Sequence, residues 1–83
     1  MKAQIPQLLL DFEGKDVVVC NKTYSLQIMG RLYINRDGNQ PVFRVQINRD
    51  NMAIAAATFF VHSCYRLALS ENTLVITLKD AND

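Results

Sequence analysis

The side chains that could do covalent or metal chemistry in this chain are few. His62 and Ser63 stand side by side, and a histidine next to a hydroxyl invites the idea of a base activating a nucleophile. On a strand, however, consecutive residues point to opposite faces, so adjacency in sequence separates the two groups in space. Cys20, Cys64 and His62 are the thiol and imidazole inventory of the whole chain, and structural zinc takes four such ligands. Two cysteines cannot make a disulfide framework. No paired carboxylates and no phosphate-cradling glycine loop accompany them. The chain is therefore read as a non-enzyme with no metal and no cofactor, and its functional residues are sought among its turns.

Composition narrows the class. At 83 residues the chain has room for one domain, residues 1–83, with an ordered core over about 5–79. It is 49% hydrophobic and 20% charged with a net charge of +1, the profile of an ordered globular chain without a strong basic patch. No apolar run nears the ~20 residues that cross a bilayer, so no membrane role is expected. No charged segment followed by an apolar one opens the sequence, which predicts a cytoplasmic protein with reduced thiols. By surface scaling a domain this small buries only roughly 63% of the surface its unfolded chain exposes. Its stability is marginal alone, and association with further copies is the expected remedy.

The elements follow from periodicity. Residues 6–14 read as a short helix, with Pro6 suited to the first turn and Gly14 to the end. Residues 16–20 hold three consecutive valines and read as a strand. Over residues 23–35, Tyr24, Leu26, Ile28, Leu32 and Ile34 alternate with polar neighbours, which predicts one long half-buried strand. Gly30 sits on its apolar face and marks a bend or a close backbone approach. Asp37-Gly38 turns the chain into a second arm over residues 42–48. Residues 48–51 read as a loop. Residues 52–61 are open between a helical turn near 51–57, favoured by Ala53 and Ala55 to Ala57, and a strand, favoured by Thr58 to Val61. Residues 65–69 and 73–79 flank Ser70-Glu71-Asn72 as a tight hairpin or a kink. The sum is a mostly β fold, a small, strongly bent, five-stranded antiparallel barrel with a short N-terminal helix. The edges of such a barrel can pair between identical chains and close a ring.

In order and spacing these fragments resemble the Sm and Sm-like family, whose bacterial branch is the RNA chaperone host factor. The likeness rests on Gly14-Lys15-Asp16-Val17-Val18-Val19, on Gly30-Arg31-Leu32, on Asp37-Gly38-Asn39, and on Leu69-Ser70-Glu71-Asn72-Thr73-Leu74. It covers residues 6–78. The last fragment departs from the family pattern, with Ser70-Glu71 where the family carries Arg-Gly.

The resemblance implies a ring of about five to seven copies of the chain, closed by point symmetry. It also implies single-stranded RNA, uridine- or adenine-rich, bound on the turn between the second and third strands and the turn between the fourth and fifth. Carried over residue by residue, Asp37 and Asn39 lie in the first turn with Arg36 beside them, and Asn72 lies in the second. An amide can read a base edge while an aromatic or guanidinium plane holds the base's face, and Tyr33 and Arg36 are the nearby planes. Glu71 would repeat around such a ring and repel phosphate. The alternative is therefore a scaffold ring that keeps the body, has lost the RNA pocket and binds a protein partner. For Asp37, Gly38, Asn39 and Asn72 the plain reading is turn chemistry, and for Met52, Phe59 and Phe60 it is core or subunit interface.

Overall fold

The computed structural model describes residues 5–23 and 25–79. Its elements in chain order are α1 (Gln7–Asp11), β1 (Asp16–Asn21), β2 (Gln27–Asn35), β3 (Val42–Arg49), β4 (Met52–Phe60), a 3₁₀ turn (Val61–Ser63), β5 (Cys64–Ser70) and β6 (Thr73–Leu78). The fold is mostly β, as the alternation predicts.

The helix is shorter than residues 6–14. Pro6, with φ fixed near its ring value, precedes it, and the Pro6 carbonyl accepts the Leu9 and Leu10 amides at 3.1 and 3.2 Å. Five residues cannot hold a helix in water, so packing must do so. Leu9 supplies it, fully buried against Val17, Val19 and the rest of the core. The chain leaves through Gly14 at φ +83°, a conformation that favours glycine.

The strands form one sheet in the order β4-β3-β2-β1-β6-β5. Three features correct the five-stranded antiparallel barrel. The described residues form six strands. The sheet is mixed, because β1 and β6 run parallel, Val17 beside Leu74 and Val19 beside Ile76. It is also open, with β4 and β5 as edges. Alternation reports which face a residue takes but not which strand lies beside it, so neither the parallel pair nor the open edges follow from period two.

Of the two readings of Gly30, the structure shows the close backbone approach. A Cβ placed there would stand 2.6 Å from the Gln46 carbonyl oxygen, so the two strands meet at a distance only glycine allows. The strand itself begins at Gln27 rather than at residue 23. Asn21 holds the approach to the strand instead, its Oδ1 accepting the Leu26 amide at 3.1 Å and its Nδ2 donating to Ser25 Oγ at 2.7 Å. Tyr24, assigned to the apolar face by alternation, lies outside the described residues.

Residues 52–60 are strand throughout. Their ladder with β3 runs from Val42 opposite Phe60 to Arg49 opposite Met52, with a bulge that leaves Ile54 without a partner. That non-local pairing outweighs the helix preference of the alanines. The core lies on the inner face, where Val17, Val19, Leu32, Phe43, Val45, Leu74 and Ile76 are fully buried.

Candidate functional site

The 3₁₀ turn fixes the geometry between the two candidate turns. Val61 donates its amide to the Pro41 carbonyl at 3.0 Å, and Ser63 accepts the Lys79 amide at 2.8 Å. Three residues thus tie the foot of the β2–β3 loop to the finishing end of β6. Asn72 stands before the starting end of β6, and six strand residues at ~3.3 Å each place it about 20 Å from that tie. Within one copy, Asn72 is therefore not brought together with Arg36, Asp37 and Asn39. The second turn joins β5 to β6, not a fourth strand to a fifth.

Each sequence-predicted residue has a definite place. Asp37 donates its amide to Asn35 Oδ1 at 2.9 Å in a turn continued by Gly38 at φ +93°. Asn39 is exposed in the same loop. Arg36 lies 3.7 Å from Glu13 Oε1, while Glu13 Oε2 accepts the Ile34 amide at 3.0 Å, so one carboxylate anchors both the strand end and the neighbouring cation. Glu71 and Asn72 have φ +49° and +66°, and Asp50 and Asn51 have φ +54° and +65°. Both pairs are two-residue turns that need left-handed backbone at both positions, a need Asn and Asp meet better than most residues.

The planar groups are already engaged. Arg44 lies over the Tyr33 ring at 5.5 Å, which makes the pair a cross-strand contact between β2 and β3. Around the turns, Glu13, Asp37 and Glu71 outnumber Arg36, and Arg31, Arg44, Arg49 and Arg66 are spread over three strands. Such dispersal makes a weak phosphate footprint.

Covalent chemistry gains no support from the geometry. His62 and Ser63 fall in the 3₁₀ turn rather than on a strand, and the His62 ring stacks on Phe60 at 5.1 Å. Cys20 is buried with its sulfur 3.8 Å from Thr77 Oγ1. Burial pushes the Cys64 thiol up to about 11, with Lys79 pulling weakly the other way, so it is a neutral thiol at physiological pH and a poor nucleophile. Among the described residues no group of three or more His, Cys, Asp or Glu side chains could hold a metal ion. No helix among them is long and apolar enough to cross a membrane.

The most distinctive surface is one that residue types in the turns do not announce. Strand β4 pairs only with β3, and among the described residues no backbone hydrogen bond reaches its outer side. Its nine residues contain no charge and no proline, the two usual protections of a free edge. Met52, Ile54 and Phe60 are 68, 59 and 47% exposed, while Phe59 turns inward onto Phe43 at 5.3 Å. The sequence leaves Met52, Phe59 and Phe60 together as core or subunit interface; the structure divides them, packing Phe59 on Phe43 and leaving Met52 and Phe60 exposed. The signal that could have found the free edge is the absence of any charge from Met52 to Val61.

The other edge is better guarded. Strand β5 carries Arg66, is bulged between Cys64 and Arg66, and has Lys22 over the Tyr65 ring at 4.5 Å. No protein-family model matches the chain, no curated protein matches it, and no solved structure matches it.

Proposed function

We propose that this chain is a non-enzymatic, self-associating β module that serves as an interaction scaffold. The observation that carries the reading is the outer side of β4, a strand's length of unpaired backbone flanked by exposed Met52, Ile54 and Phe60 with no charge to keep another strand away. Pairing it satisfies the amides and carbonyls and covers the apolar side chains in one step. Absolute mass by light scattering over a concentration series tests this. The expected result is two or more protomers, reduced toward one by Ala56→Lys. A single protomer at every concentration rejects it.

Single-stranded RNA on the turns is the second reading. Exposed Arg36 and Asn39 in one loop support it, since repetition through an assembly would multiply a weak contact. Glu13 and Asp37 beside that loop, and Glu71 beside Asn72 in the other turn, weigh against it. Titration with uridine and adenine homopolymers at low salt decides. Binding that weakens as salt rises and is reduced by Asn39→Ala supports it, and no binding to either homopolymer removes it.

A further inference from the structure

We infer that β4 pairs antiparallel with β4 of a second copy about a two-fold axis through Thr58, a claim that rests on the self-association reading and specifies its partner strand and register. Directly opposed residues in an antiparallel pair share a face of the sheet, so a strand pairing with itself must centre on a residue. The bulge at Ile54 breaks the alternation of β4 and leaves residues 55–60 as the regular stretch. Centring on Thr58 uses that stretch best. Phe59 then faces the partner copy's alanine at position 57, Phe60 faces its alanine at position 56, and the two threonines at position 58 face each other.

Large opposes small at every step, and like-sized β-branched hydroxyl residues meet on the axis. A centre at Ala57 sets Phe60 against the bulged Ile54, and a centre at Phe59 runs the ladder into the 3₁₀ turn at Val61. The strand is uncharged, so two copies meet without repulsion. Head-to-tail pairing on β5 instead meets Arg66, the bulge after Cys64 and the Lys22–Tyr65 contact. A two-fold pair ends in a dimer with one continuous sheet, whereas a head-to-tail pair ends in a ring or a fibre.

A cross-link on the axis tests this. In Thr58→Cys with Cys64→Ser, the two cysteines at the two-fold position have Cα atoms about 4.5–5.5 Å apart, within the range a disulfide spans. Mild oxidation is expected to convert most of the chain to a covalent dimer on a non-reducing gel, with Ser70→Cys in the same background giving at least tenfold less. A multi-copy mass without the Thr58→Cys cross-link overturns the two-fold pairing and leaves self-association standing. A single-copy mass throughout overturns both. Should the cysteine variant fold poorly, Thr58→Lys places two like charges opposite each other on the axis. It is expected to weaken association at least tenfold, with Ser70→Lys neutral, and equal effects from both would also overturn the pairing.

Discussion

Gly30 of β2 approaches the Gln46 carbonyl of β3 so closely that a single added carbon would stand 2.6 Å from the oxygen, and 2.9 Å from a Val45 methyl. The obstacle is backbone, which cannot rotate away. Gly30→Ala therefore forces the two strands apart at this contact, and overpacking of this kind costs typically about 1–3 kcal/mol. Urea unfolding should show a lower midpoint and an unfolding free energy reduced by about that amount. An unchanged midpoint would mean that the strands can separate freely at Gly30.

Cys64 carries a pH signature. Burial raises its thiol from 9.0 to about 11 in the folded chain. A group whose folded pKa is raised contributes its full stability below the unfolded value and loses it as pH rises through the folded one. Thermal stability should therefore fall between about pH 9 and 11, and Cys64→Ala should flatten that fall. Alkylation of Cys64 at pH 8 should be slower than that of an exposed thiol.

Glu13 acts at two points, on the Ile34 amide and on Arg36. Glu13→Ala removes both and should cost about 1 kcal/mol, most of it from the lost amide acceptor, because exposed ion pairs contribute little. Glu13→Gln keeps a neutral acceptor and should recover much of that loss. Equal destabilisation by the two variants, measured by urea titration, would shift the weight to the ion pair.

Phe59 joins β4 to the core through Phe43 at 5.3 Å. Phe59→Ala should destabilise the domain by roughly 3 kcal/mol, whereas Met52→Ala, at an exposed position, should leave single-copy stability within about 0.5 kcal/mol. Comparing denaturation of the two variants at low protein concentration separates the core face of β4 from its free face.

Much of the fold can be read from local chemistry. Pro6 opens the helix, Gly14 ends the turn that follows it, Gly30 marks the close approach, and Asp37-Gly38 and Glu71-Asn72 mark turns. What local chemistry misses is decided at a distance. The alanines at 53 and 55–57 prefer helix until β3 offers them a ladder. Asn21 captures the Leu26 amide and so removes residues from the start of β2. The parallel pairing of Val17 with Leu74 depends on where the chain returns after the 3₁₀ turn.

The same division holds for the site. Residue types identify Arg36, Asp37, Asn39 and Asn72 as turn residues, but only the tie through Val61 and Ser63 separates Asn72 from the others. The free edge of β4 is a property of sheet order, and the sequence offers only the charge-free run from Met52 to Val61 as a sign of it.

Hydrogen exchange along β4 tests the central claim most directly. Among the described residues its outward amides have no partner, and they should exchange quickly in dilute protein. If β4 pairs with another copy, alternate amides over residues 55–60 gain protection as concentration rises, while the free edge of β5 does not. Fast exchange of those β4 amides at every concentration would contradict the account.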